Sequence, residues 1–147
     1  MRKFVFFTFV FLLLVFIDQA AKHLVFNANA GGFLNLLNPA LGLMKFKNQY
    51  LAFSIHSSAI VMWCIYIVLL LGLSFWFWNQ KDKSVRMAWA YVLILAGALS
   101  NIFDRLALGY VRDFVYIFWG NIFNLADLFI VAGILLLLFQ KPPKEKS

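Results

Sequence analysis

Charge is scarce in this 147-residue chain: 13% of its residues are charged and only six are acidic. Histidine occurs twice and cysteine once. A lone Cys64 leaves no disulfide to be made within the chain and says nothing about redox compartment. His23 and His56 stand apart, without the H-E-x-x-H spacing that sets two imidazoles on one helix face, which argues against zinc chemistry. No serine lies in a G-x-S-x-G turn or has a partnered histidine, and Cys64 sits among apolar residues without a base. Nucleophilic catalysis therefore finds no candidate. A basic stripe in polar surroundings is also missing, which argues against nucleic acid as a partner.

What abounds is apolar surface. The chain is 64% hydrophobic and 19% aromatic, more than a soluble domain of this size can hide. Its mean hydropathy is +0.85. Crossing a hydrocarbon core as a helix takes about 20 apolar residues, and four stretches qualify: about 4–26, 59–78, 87–108 and 120–139. The expected fold is an all-α membrane protein, a four-helix transmembrane bundle forming one domain over 1–147, with a small external β or interfacial segment. Arg2, Lys3, Lys81, Lys83, Arg86, Lys141, Lys144 and Lys146 all fall on one side of that layout, so both termini are expected to be cytoplasmic. These cations suit anionic headgroups, which accounts for the net charge of +7.

The first stretch also looks like a secretory signal peptide ending at Ala28-Asn29-Ala30. The polar insertion from Asp18 to Lys22 argues for a retained span instead. Between the first two spans, 27–58 holds Gly31, Gly32, Asn35, Asn38, Pro39 and Gly42 among apolar residues, a pattern of short strands and turns. Residues 109–119 read as a short strand or an extended interfacial segment.

Asp82 and Glu145 lie beside lysines in cytoplasmic flanks. The other four acids, Asp18, Asp104, Asp113 and Asp127, all fall in the outer half of the membrane or just beyond it. Asp127 stands about 18 Å above the cytoplasmic boundary, where an ionised carboxylate costs a few kcal/mol unless it faces the bundle interior or a wet cleft. Asp18 and Lys22 are four apart on the first span. Gly97, Asn101, Asp104 and Arg105 share one face of the third, and Asn124 and Asp127 one face of the fourth. For Asp18, Lys22, Asp104 and Arg105 interhelical ion pairing is the favoured reading, with Arg105 a bidentate partner for Asp104 or Asp113. Asp127 has no adjacent base, and Asp113 follows a turn at Gly109 that can carry it back toward the fourth span. Two carboxylates meeting there cannot both ionise cheaply, and a pair sharing one proton is what an aspartic protease uses. An alternative from the same residues is a proton- or ion-coupled carrier, although no polar path reaches the cytoplasmic half.

Three blocks together resemble the lipoprotein signal peptidase (signal peptidase II) family: Asp18-Gln19-x-x-Lys22; Gly97-Ala98-Leu99-Ser100-Asn101-x-x-Asp104-Arg105 with Gly109-Tyr110-Val111-Arg112-Asp113-Phe114; and Phe123-Asn124-x-Ala126-Asp127. They occur in the family's order, and the layout covers the whole chain. The resemblance implies a bacterial inner-membrane aspartic protease, working at the outer face. It would cleave prolipoproteins just before a diacylglyceryl-modified cysteine, without cofactor or metal. It implies that Asp113 and Asp127 are the catalytic dyad, that Asn101, Arg105 and Asn124 line the site, that Asp18 and Lys22 brace the first span, and that Asn38 contacts substrate. The chain departs from the family's pattern after Asn38, with Pro39-Ala40-Leu41-Gly42-Leu43 in place of a Gly-x-Ala-Phe-Gly-like run, and at Ala96, Ser100 and Leu128. The departure at Asn38 makes a catalytically inactive relative, a membrane scaffold or lipoprotein-binding protein, the alternative.

Overall fold

A computed structural model describes residues 2–28, 33–37, 40–49, 59–80, 84–117 and 120–139. Asn38 lies outside the described residues. The order of elements is α1 (Arg2–Asn27), β1 (Phe33–Leu37), β2 (Leu41–Asn48), α2 (Ala59–Asn79), α3 (Val85–Leu108), β3 (Val111–Ile117), β4 (Ile122–Phe123) and α4 (Leu125–Leu138).

The burial pattern is inverted relative to a water-soluble protein. On α1 the buried residues are Asp18 and Lys22, while Phe4, Phe9, Phe16 and Leu24 point outward. Large apolar side chains on the outside and polar ones inside are what a lipid environment selects. Among the described residues, α1 and α3 are long and apolar enough to cross a membrane; the apolar segments Cys64–Asn79 and Leu125–Leu138 are shorter.

α3 is the central helix. Ser84 caps its start by accepting from the Met87 backbone N–H at 3.2 Å. Its inward stripe changes character along its length, from Met87, Ala90 and Val92 through Ala96 and Gly97 to Ser100, Asn101 and Asp104. The apolar end supports packing and the polar end supports the site. Gly97 permits close approach to α4, because a Cβ there would run into the Ala126 carbonyl oxygen and Ile130. Arg86 Nη1 ties the start of α3 to the far end of α4 by donating to the Phe139 carbonyl at 2.8 Å. α2 meets α3 through Ser74 and Tyr91, whose hydroxyls are 3.2 Å apart, and through Phe77 stacked on Tyr91.

The four strands form one antiparallel sheet in the order β1-β2-β3-β4. The small β or interfacial segment expected beside the helices is this four-stranded sheet, so the chain is mostly helical rather than all-α. Phe46 pairs with Asp113 and Lys47 with Arg112, after an irregularity between Leu43 and Phe46. The last helix also starts later than the count of apolar residues suggests, at Leu125 rather than Gly120. Gly120, at φ 79°, makes a tight turn in which its N–H donates to the Ile117 carbonyl. Ile122 and Phe123 then pair with β3 before Asn124 caps α4. Hydropathy alone cannot separate a two-residue apolar strand from the apolar helix that follows it.

Candidate active site

Two local devices bring Asp113 and Asp127 together. The first is the end of α3, where Gly109 adopts a left-handed φ of 80° and its N–H donates to the Arg105 carbonyl at 3.1 Å. The chain reverses there and runs into β3, whose third residue is Asp113. Arg112 locks the strand to the helix it has just left: its backbone N–H donates to Asp104 Oδ2 at 3.0 Å and its Nη2 to Asp104 Oδ1 at 2.7 Å.

The second device is the start of α4. Asn124 Oδ1 accepts from the Asp127 backbone N–H at 3.0 Å, and Asp127 Oδ2 accepts from the Asn124 backbone N–H at 3.2 Å. This reciprocal cap fixes the Asp127 side chain against its own helix terminus. The Asn124 amide remains free to donate, and Nδ2 reaches Asp113 Oδ1 at 2.6 Å and Asn101 Oδ1 at 3.1 Å. One residue thus binds both carboxylates.

Two further amides complete the set. Asn101 Nδ2 donates to Asp127 Oδ1 at 2.8 Å, and Asn48 Nδ2 donates to Asp113 Oδ2 at 2.8 Å. Each of the four carboxylate oxygens accepts from a neutral N–H group. Among the described residues neither aspartate is in an ion pair. Asp113 is 1% exposed, and Asp127 is half-buried. Burial pushes the Asp113 carboxyl up to about 6; the Asn48 hydrogen bond opposes the rise, and the charge of Asp127 adds to it.

Beneath the pair lies a buried ionic layer. Lys22 Nζ contacts Asp18 Oδ2 at 2.7 Å, Asp104 Oδ2 at 3.3 Å and Asn101 Oδ1 at 2.9 Å. Asp18 also accepts from the Ser100 hydroxyl at 2.6 Å and from the Ala126 backbone N–H at 2.9 Å. The last bond satisfies an N–H in the first turn of α4 with a carboxylate from α1, the sign that a helix N-terminus favours. Gln19 bridges Ser100, Asp104 and Arg112. Among the described residues no buried side-chain nitrogen or oxygen lacks a partner.

Asp18, Lys22, Asn101, Asp104, Asn124, Asp113 and Asp127 are thus brought together, and Gly97 sits behind them where α3 meets α4. Arg105 is not the partner expected for Asp104 or Asp113. Its Nε donates to the Tyr66 hydroxyl at 2.8 Å, and Arg112 takes Asp104 instead. Asp104 is taken up by Lys22 and Gln19 of α1 and by Arg112 of the returning strand, whereas Arg105, about 100° further round the helix, reaches Tyr66 of α2. The sequence reading missed Asn48 and Arg112 as site residues. The signal was available for Arg112, which immediately precedes Asp113, but not for Asn48, whose role depends on the register of β2 against β3.

The sequence pattern of signal peptidase (SPase) II matches residues 10–141. The chain belongs to the signal peptidase II family. A lipoprotein signal peptidase from Bartonella tribocorum is 35% identical over 133 residues, covering 85% of this chain and 79% of that one. Another, from Pseudoalteromonas translucida, is 36% identical over 148 residues, covering 91% and 89%. Among solved structures, one described as a bacterial membrane enzyme superposes with a TM-score of 0.80 at 25% identity, covering 96% of this chain and 94% of that one. As a signal peptidase II the protein is a peptidase, and its neighbours are membrane enzymes.

Proposed function

We propose that this chain is a membrane aspartic endopeptidase that removes signal peptides from bacterial prolipoproteins, cutting before a diacylglyceryl-modified cysteine, with Asp113 and Asp127 as the catalytic pair. The observation that carries the assignment is Asn124, which holds one carboxylate through its amide and the other through its backbone. The aspartates are thereby close, neutral donors surround them, and burial raises the affinity of Asp113 for protons.

In this reading α1 to α4 are four spans, both termini are cytoplasmic, and the pair lies at the outer face of the inner membrane under the sheet. The signal helix of the substrate enters between the spans with its acyl chains still in lipid. One aspartate takes a proton from water as that water attacks the scissile carbonyl, and the other protonates the departing nitrogen. Asn101 and Asn124 keep the two carboxylates oriented while protons move. Lys22 holds the Asn101 amide, and the charges of Lys22 and Arg112 balance those of Asp18 and Asp104 beneath the pair. The exposed Phe46, paired across the sheet with Asp113, offers an apolar contact beside the reacting peptide.

The test is cleavage of a diacylglyceryl-cysteine precursor by the purified protein in detergent, with the unlipidated precursor as comparison. The wild type should cut only the lipidated form, and Asp113→Asn and Asp127→Asn should each abolish cutting. Appreciable activity in either variant would sink the dyad.

A further inference from the structure

The thirteen basic residues of the chain divide unevenly. Eight flank the apolar stretches on the side read as cytoplasmic. Of the other five, Lys22 and Arg112 are paired with buried aspartates, and Arg105 binds the Tyr66 hydroxyl. Lys45 and Lys47 remain, both exposed. They are two apart on β2 and open onto one groove. Among the described residues neither is in an ion pair. Lys45 Nζ donates to the Ala28 carbonyl at 2.7 Å, and Lys47 Nζ lies 5.1 Å from the centre of the Tyr110 ring. Lysine is depleted on the outer side of membrane proteins, so two of them there point to a use.

Both line a groove of about 510 Å³, walled by Phe26 at the end of α1, Leu108 at the end of α3, and Tyr110 and Arg112 around the start of β3. None of its lining residues is acidic. Its depth follows from helix rise. Phe26 lies about 35 Å along α1 from Lys3, and Leu108 about 33 Å along α3 from Arg86, against a hydrocarbon core of about 30 Å. Both walls therefore emerge into the outer headgroup layer. Lys47 and Arg112 are cross-strand partners, so Asp113, the next residue of β3, faces the opposite side of the sheet. The groove backs onto the candidate active site, with Arg112 standing between the two.

We propose that this groove binds the phosphodiester headgroup of an anionic phospholipid from the outer leaflet, with Lys45 and Lys47 as its charge partners. The acyl chains descend along Phe26 and Leu108. The bound lipid would hold the β2–β3 pair at a fixed height over the membrane, and with it Asn48 and Asp113 on the other face. The inference rests on reading α1 and α3 as spans whose ends at Asn27 and Leu108 are external.

The experiment uses the full chain in nanodiscs of phosphatidylcholine with a minor fraction of phosphatidylglycerol, with retained lipid counted by native mass spectrometry. The wild type should retain phosphatidylglycerol in preference to phosphatidylcholine. Lys45→Gln/Lys47→Gln should bind it about thirty-fold more weakly, from the usual contribution of a basic residue near an anionic leaflet. Lys45→Arg/Lys47→Arg should restore retention, and inorganic phosphate should not displace the lipid. Unchanged retention in the Gln pair, equal retention of phosphatidylcholine, or displacement by inorganic phosphate would each overturn the proposal. Separately, Lys47→Cys in a Cys64→Ser background should react with an impermeant thiol reagent added outside intact cells. Labelling with no lipid preference sinks the lipid site alone, whereas absence of labelling sinks the membrane orientation.

Discussion

Asn124 does two jobs that substitution can separate. As the cap of α4 its Oδ1 accepts from the Asp127 N–H, and as a bridge its Nδ2 donates to Asp113. Asn124→Ala removes both. Loss of the cap costs about 1 kcal/mol. Leaving the buried Asp113 Oδ1 without its donor adds about 1–3 kcal/mol, whereas Asn101 Oδ1 keeps Lys22 and adds little. The sum is about 2–4 kcal/mol. Asn124→Ser retains a hydroxyl that can cap but cannot reach Asp113, so it should recover about 1 kcal/mol relative to Asn124→Ala. It should recover no activity, because a carboxylate displaced by about 1 Å loses on the order of 100-fold in rate. Thermal unfolding in neutral detergent reads the first quantity, and cleavage of the lipidated precursor the second. Wild-type cleavage by Asn124→Ser would refute the bridging role, and equal stability of the Ser and Ala variants would refute the cap.

Three further outcomes follow from the same geometry. The Asp113 carboxyl is raised from 3.8 to about 6, so the folded state binds the proton more tightly than the unfolded one. Its contribution to stability is therefore present at low pH and lost as pH rises from about 4 to about 6, on the order of 3 kcal/mol in all. Stability measured against pH should lose that slope in Asp113→Asn, and an unchanged slope would show that another group carries it. Gly97→Ala drives a methyl into the Ala126 carbonyl and Ile130, one residue from Asp127, and should lower both stability, by about 1–3 kcal/mol, and cleavage. Gly133→Ala, which meets Ala90 and Ile94 two turns away, should lower stability with a smaller effect on cleavage; equal cleavage losses in the two would refute a local effect at Asp127. Gly109→Ala meets open space, so its penalty is the left-handed conformation alone, about 1–2 kcal/mol, and Gly109→Asn should recover part of it in the same unfolding measurement.

Much of this site is written in local sequence. Spacing of three or four places Asp18 with Lys22, Asn101 with Asp104, and Asn124 with Asp127 on shared helix faces, and a glycine before a strand-like stretch is enough to suggest that Asp113 returns over the membrane surface. What is not written locally is anything that depends on strand register or on the contact between sheet and helix. Asn48 reaches Asp113 only because β2 pairs with β3 in one register past an irregularity at Leu43/Phe46. The start of α4 is not written locally for a related reason, since Ile122 and Phe123 are as apolar as the helix after them and only pairing with β3 distinguishes them.

The bond from Arg105 to Tyr66 carries the most chemical weight, because it decides how Asp18, Asp104, Asp113 and Asp127 divide. Had Arg105 paired with Asp113, that carboxylate would be held ionised by a fixed cation and would make a poor member of a proton-sharing pair. Instead the cations Lys22 and Arg112 go to Asp18 and Asp104, and the pair at Asp113 and Asp127 is left with amides from Asn48, Asn101 and Asn124. Amide donors orient a carboxylate without fixing its charge, which is the condition for a proton to move between acid and base roles during one turnover. The buried ions beneath supply rigidity, and the neutral layer above supplies freedom to titrate. By this division, introducing a cation beside the pair should harm catalysis even where folding survives. Asn48→Lys is the direct case: an ammonium within reach of Asp113 should return its pKa toward the ordinary carboxylate range and suppress cleavage. Asn48→Gln, which keeps an amide, should retain more activity than the lysine variant. Equal activity in the two would show that the charge of the donor does not matter.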